Sequence, residues 1–264
     1  SLLGVLAASS EDTPLAVDLA QQLALNMFAS GHHAREFPAG NLLVYVYEGV
    51  PGLVATGPKA PGFVPVGFEQ NDLAQRRKAR QNELLGKAVG WRERRSPSVL
   101  DATAGYGIDS FLLADLGCRV NLCERNPVMA TLLEHAIKRA QESANDWLRG
   151  VGSRLNVKRG SAQALTDDIV LAADVIYLDP MFPSSRRGAP GKAMQLLQQL
   201  LNDTGTDASQ DSEVDPDMLF SWALGQATKR VVVKRPRKEP CLVGPVPSHQ
   251  LTGKSVRFDV YQLA

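Results

Sequence analysis

The chain has 264 residues, 44% of them hydrophobic, and its 29 Lys and Arg against 28 Asp and Glu leave a net charge of +1. That is enough apolar material for a substantial core, and the length permits one large α/β unit with a smaller part attached. No apolar run approaches the roughly 18 residues of a membrane span, and three cysteines without paired spacing argue against a disulfide framework and for a reduced, cytoplasmic setting.

The opening Ser1 to Ser10 is apolar but carries no basic leader, so it reads as a strand over 4–9 and not as a signal peptide. Thr13 to Phe28 has apolar residues at helical spacing, 41–47 alternates as a strand, and 53–56 and 63–68 read as short strands split by Gly-Pro turns. These make a small α+β cap over 1–71. His32 and His33 read as loop residues, and no metal is expected. A basic helix over 72–89 belongs to a linking segment, 72–97, and the main α/β core occupies 98–264.

The core opens on the most informative stretch, Ser98 to Asp109. A short apolar strand stops at Asp101, a turn built on Gly105 and Gly107 follows, and a helix starts at Ile108. A strand, a glycine turn and a helix N-terminus are the parts of a nucleotide-type cofactor site. A second strand, 119–124, ends in Glu124, about 20 residues after the glycines, where an acid accepts hydrogen bonds from ribose hydroxyls. The dinucleotide fingerprint would place a third glycine where Ser110 stands. Asp101 and Asp109 would repel a pyrophosphate but attract a sulfonium with its ammonium group, which favours S-adenosylmethionine.

Pro127 sits near the start of the next helix, which extends toward Ala144. A third strand (155–159) leads into a Gly160-Ser161 turn, and a fourth (175–178) stops at Asp179. A fifth (230–234) and a closing hairpin (about 246–251 with 255–261) complete the alternation. Strands alternating with helices mean a parallel sheet covered on both faces, and such sheets bind ligands beyond the carboxyl ends of their strands. Asp101, Glu124, Ser161 and Asp179 all fall at such ends. In Asp179-Pro180-Met181-Phe182-Pro183 the carboxylate and the Pro180 carbonyl can accept from a planar amine, and Phe182 can stack on its ring. The stretch 202–213 is polar and acidic and reads as a surface loop. Basic residues gather at Arg76, Arg77 and Lys78, at Arg92, Arg94 and Arg95, at Arg186 and Arg187, and at Lys234 and Arg235. They suit phosphates, with an affinity that should fall steeply with salt.

These motifs carry a resemblance. DATAGYGID (101–109), ERNP (124–127), YLDPMFP (177–183), ATKRVVVKRP (227–236) and RFDVY (257–261), with QRRK (75–78) and GKAVG (86–90), together resemble the bacterial ribosomal RNA small subunit methyltransferase J family. The likeness is densest over 99–183 and 227–261 and loose before about residue 64. Met181 stands where a second proline is commoner. The resemblance implies a class I, Rossmann-like α/β fold: a mostly parallel sheet with helices on both faces, an antiparallel C-terminal edge, and a small α+β domain before it. It implies S-adenosylmethionine as cofactor and methyl transfer to N2 of a guanosine near the 3′ end of 16S rRNA, with the RNA or the small ribosomal subunit as partner. The sequence does not give the oligomeric state, and a monomer is the expectation. The resemblance adds Ile108, Asp109, Arg125, Gly160 and Ser161 to the cofactor contacts. The residues alone leave other readings open: an amino methyltransferase for adenine N6 or protein glutamine, or a non-catalytic RNA-binding module. A nicotinamide oxidoreductase is disfavoured by the missing glycine and by Asp101.

Overall fold

The structure, a computed structural model, describes residues 1–69, 80–180, 191–203, 215–226 and 228–263. The chain divides into two compact units. One comprises Ser1–Gly67, Asn126–Ala136 and Ser185–Asp211, the other Phe68–Arg125, Ile137–Ser184 and Ser212–Ala264.

The first unit holds a five-stranded sheet of β1 (Leu2–Ala7), β2 (Met27–Phe28), β3 (Leu42–Tyr47), β4 (Val50–Ala55) and β5 (Val64–Pro65), in the order β2-β1-β3-β4-β5. β1 runs parallel to both its neighbours, while β3–β4 and β4–β5 are antiparallel. The helix Thr13–Leu23 packs on the sheet through Ala16, Leu19 and Ala20. It stops five residues earlier than its periodicity suggests. Ala24 adopts a left-handed conformation (φ 51), and the Leu25 N–H turns back to the Ala20 carbonyl at 2.9 Å. This closes the helix with a Schellman-type bond at a residue that is neither Gly nor Asn, and the freed chain enters β2. Glu48 and Gly49 both have positive φ (50 and 73), as a tight β-hairpin turn demands. Asp12 braces that turn from beneath, accepting the Gly49 N–H at 2.8 Å and the Ser9 hydroxyl at 2.9 Å. The helix Lys192–Asp203 lies along β3 and β4 through its buried Leu196, Leu197 and Leu200, and Gln199 donates to the Gly40 carbonyl at 2.9 Å.

The second unit is built on a seven-stranded sheet. Its strands are β6 (Ser98–Asp101), β7 (Arg119–Glu124), β8 (Leu155–Arg159), β9 (Val175–Leu178), β10 (Arg230–Pro236), β11 (His249–Thr252) and β12 (Val256–Gln262), in the order β11-β12-β10-β9-β6-β7-β8. The five strands from β8 to β10 are parallel. β12 alone is reversed, antiparallel to both β10 and β11. The expected closing hairpin therefore forms, with its first strand outermost and the last strand of the chain inserted inside the sheet. This is the Rossmann-like class I arrangement. Leu100, Ile176, Leu178, Val231 and Val233 join Phe220, Leu219 and Tyr261 in one buried cluster. Strands covered on both faces read as continuous apolar runs, which is why 99–100, 175–178 and 231–233 are unbroken hydrophobics.

Among the described residues, four helices were not anticipated from periodicity: Asp146–Gly152, Asp167–Leu171, Lys192–Asp203 and Pro216–Leu224. Two of them carry plain caps. Asn145 accepts from the Trp147 and Leu148 N–H groups at 3.0 and 3.2 Å, and Asp215 accepts from Asp217 N–H at 3.0 Å. The helix Pro127–Gln141 starts where proline indicated, with Asn126 accepting from the Val128 and Met129 N–H groups at 3.0 and 3.1 Å. Of the expected basic helix, the described part is Arg80–Val89. Of the expected 202–213 loop, 202 and 203 end the preceding helix, and 204–213 lie outside the described residues.

Candidate active site

The parallel run β8-β7-β6-β9-β10 brings five carboxyl ends to one rim of the second unit. Between β6 and the helix Ile108–Asp115 the chain must reverse within six residues. Gly105 (φ 53) and Gly107 (φ 71) take left-handed conformations to do it. Backbone bonds pin the turn on both sides: Ala102 N–H to the Tyr177 carbonyl on β9 at 3.0 Å, and Ala104 N–H to the Cys123 carbonyl on β7 at 3.1 Å. Two side chains extend the pinning. Glu124 accepts the Gly105 N–H at 3.0 Å, and the Thr103 hydroxyl accepts the Asp179 N–H at 2.6 Å. The ends of β6, β7 and β9 are thus one hydrogen-bonded assembly, which brings Asp101, Glu124 and Asp179 together.

Asp101 is buried at 2% exposure. It accepts the Thr103 N–H at 3.0 Å and the Ser110 hydroxyl at 2.5 Å. Burial pushes its carboxyl up to about 7; Ser110 and Thr103 oppose the rise, and the nearby Asp109 and Asp179 charges add to it. Ser110, the residue that breaks the dinucleotide fingerprint, is therefore the partner of Asp101.

The Lys234 ammonium, on β10, bridges Asp109 at 2.6 Å and Asp179 at 2.9 Å, with 16% of its side chain exposed. The fully buried Tyr177 donates its hydroxyl to the same Asp109 oxygen at 2.6 Å. Burial works against the lysine cation, but Asp109 and Asp179 more than offset it and hold its pKa above the ordinary lysine value. Burial raises the Asp179 carboxyl, Lys234 pulls it down, Asp109 pushes it up, and the net direction is upward. Neither Tyr177 nor this role of Lys234 was read from the sequence. The parallel register could have shown the second, because Val233 pairs with Leu178 and the next residues along are Lys234 and Asp179.

Residues 41–263 match the family model of SAM-dependent methyltransferases. The ribosomal RNA small subunit methyltransferase J of Pseudomonas fluorescens is 41% identical over 228 residues, covering 84% of this chain and 83% of that protein. Its namesake from Dechloromonas aromatica is 40% identical over 249 residues, covering 92% and 94%. The chain belongs to the ribosomal RNA small subunit methyltransferase J family. A crystal structure of a SAM-dependent methyltransferase from Neisseria gonorrhoeae agrees, with TM-score 0.70 and 31% identity over 98% of this chain and 95% of that one. This methyltransferase depends on S-adenosylmethionine, and the rim suits that cofactor. The turn takes left-handed conformations at Gly105 and Gly107, a Cβ on Gly160 (φ 106) would meet nothing within 4 Å, and the acids suit a cationic ligand.

The remaining expected site residues fall into three groups. Some lie beside the rim turn. Ile108 is half-buried in the first helical turn, Arg125 is exposed just past β7, and Gly160 donates its N–H to the Glu124 carbonyl at 2.9 Å. Ser161 accepts the Gln163 N–H at 3.3 Å and so caps the short helix Ala162–Ala164. Pro180 is buried directly after Asp179. A second group lies outside the described residues: Phe182, Arg76, Arg77, Lys78, Arg186 and Arg187. A third departs from expectation. Lys234 and Arg235, expected at phosphates, are engaged inside the protein. Lys234 holds two carboxylates, and Arg235, 5% exposed, donates to the Pro240 carbonyl at 2.9 and 2.6 Å. Strand β10 is covered on both faces, so cations along it turn to internal partners.

The closing Arg257-Phe258-Asp259-Val260-Tyr261 motif is structural. Arg257 pairs with the wholly buried Asp259 at 2.7 and 3.0 Å and donates to the Arg237 carbonyl at 3.1 Å, and Gln250 adds a bond to Asp259 at 2.7 Å. This set ties β11 and β12 to the segment after β10. Among the described residues there is no cluster of acids, histidines or cysteines that could hold a metal, and no helix long and apolar enough to cross a membrane.

Proposed function

We propose that the protein methylates the exocyclic N2 of one guanosine in 16S rRNA, near its 3′ end, in the bare RNA or the small ribosomal subunit, acting as a monomer in the cytoplasm. The relatives named above are ribosomal RNA small subunit methyltransferases. The observation that carries the reading is the shared rim, where a cofactor-type turn flanked by Asp101 and Glu124 is hydrogen-bonded to the strand end that presents Asp179.

In this reading Glu124 accepts from the ribose hydroxyls, the Gly105–Gly107 backbone and Ile108 lie against the cofactor, and Asp101 and Asp109 supply negative charge for its ammonium group. Arg125, Gly160, Ser161 and Asp179 complete the cofactor contacts. When bound, S-adenosylmethionine supplies a methyl group whose bond to sulfur breaks as the nitrogen lone pair forms the new N–C bond, leaving S-adenosylhomocysteine. A guanine amine is a poor nucleophile because its lone pair is delocalised into the ring. Asp179 and the Pro180 carbonyl hold its N–H groups and turn the nitrogen toward the methyl, and the surplus proton leaves to water, either by way of Asp179 or directly. Alignment of this kind contributes at best about 7–11 kcal/mol. Phe182 covers the base after it leaves its stack. Arg76, Arg77, Lys78, Arg186 and Arg187 contact phosphates. Residues 1–71 act as a cap, 72–97 as the link and 98–264 as the catalytic part.

Nucleoside mass spectrometry tests this directly. Small subunits from cells lacking the protein, incubated with it and S-adenosylmethionine, should gain one N2-methylguanosine. A gain of N6-methyladenosine, or of nothing while cofactor binds, would overturn the assignment.

A further inference from the structure

Two carboxylates and one ammonium are joined at the rim, where Lys234 bonds to Asp109 and Asp179. Its carbon stem rises from β10, in register with the strand end that carries Asp179. It is bonded to the first-turn acid of the helix Ile108–Asp115 on one side and to Asp179 on the other. Tyr177 donates to Asp109 from beneath, so the middle acid is held from two directions. Asp179, with 40% of its side chain exposed, is the open end of this chain of bonds. A lysine on the solvated face of a strand would need none of this. A lysine that only closed the core would not stop at the acid facing the acceptor.

We propose that Lys234 is a positioning residue of methyl transfer, its ammonium fixing the Asp179 carboxylate in place as the acceptor for the target amine and tying it to Asp109 on the cofactor side. This rests on the assignment of Asp179 made above. Among the described residues, the charged and titratable groups around Asp179 are Asp101 on β6, Asp109 on the helix, Tyr177 on its own strand, and Lys234 on β10. Lys234 is the cation among these groups. Without it, Asp101 and Asp109 face Asp179 with no opposing charge from β10, and Asp179 holds its proton to higher pH. An opposite charge within hydrogen-bonding range commonly moves a carboxyl by one to three pH units.

The test compares wild type, Lys234→Gln and Lys234→Arg for methyl transfer to small-subunit particles from about pH 5.5 to 9.5, with S-adenosylhomocysteine affinity measured on each. In Lys234→Gln the acidic limb of kcat should move up by about one to three pH units, and on that limb kcat should fall about tenfold for each unit of the move. Lys234→Arg should recover most of the low-pH rate, because a guanidinium keeps the charge. A merely structural lysine would lower the rate at all pH values alike and leave the limb where it was, and that result overturns the proposal. So does a wild-type profile in Lys234→Gln. Asp179→Asn separates the two levels. If it transfers methyl groups at the wild-type rate, the assignment of Asp179 fails. If it is inactive while Lys234→Gln is unaltered, only the role of Lys234 fails.

Discussion

Cofactor affinity should rise as pH passes through neutrality, and Asp101 supplies the gradient. Burial lifts its carboxyl from an ordinary 3.8 to about 7 in the protein without ligand, against the pull of Ser110 and Thr103 and with the push of Asp109 and Asp179. A bound ammonium group beside it would favour the carboxylate and return it toward about 4. Binding at about pH 5.5 must then expel close to one proton, and the apparent affinity there should be about 30-fold lower than at pH 8, a difference of about 2 kcal/mol. Calorimetric titration with S-adenosylhomocysteine, in buffers of different ionisation enthalpy, reads both the affinity and the proton count. In Asp101→Asn the slope should vanish. The same group bears on stability. A raised acid binds more protons folded than unfolded between 3.8 and about 7, so unliganded protein loses stability as pH rises through that window. The loss is at most about 4 kcal/mol. Affinity that is flat with pH, or a slope that survives in Asp101→Asn, would refute the reasoning.

Three further outcomes are expected. Glu124→Ala should weaken S-adenosylhomocysteine binding about 10- to 100-fold, the worth of a charge-assisted hydrogen bond, while also releasing the Gly105 N–H it now accepts; unaltered affinity by calorimetry would show the acid to be misplaced. Asp179→Ala should abolish methyl transfer with cofactor binding retained, and unchanged turnover would contradict its role. Asp259→Ala should cost about 3–5 kcal/mol in urea unfolding, because it strands the buried Arg257 guanidinium; a loss below about 1 kcal/mol would show that the pair is not holding β11 and β12.

The core of the second unit was legible because chemistry marks its strand ends. Asp101, Glu124 and Asp179 each close an apolar run, and the observed strands begin or end within a residue of the expected bounds. Capped but short helices such as Asp146–Gly152 have too few turns for apolar periodicity to show. The early end of the helix Thr13–Leu23 was hidden because an alanine takes the left-handed position usually given to Gly or Asn. At the site, the carboxylates and glycines were visible and their connection was not. Lys234 looks like one more member of a basic run until the pairing of β9 with β10 sets it beside Asp179. Arg235 misleads for the same reason, since net charge along a strand does not say which side chains turn inward.

A crystal structure of the protein with S-adenosylhomocysteine bound would test the central claim most directly. The account predicts ribose hydroxyls within hydrogen-bond reach of Glu124, the amino acid end beside Asp101 and Asp109, and the sulfur facing Asp179. A ligand seated away from the carboxyl ends of β6, β7 and β9, with those acids untouched, would contradict it.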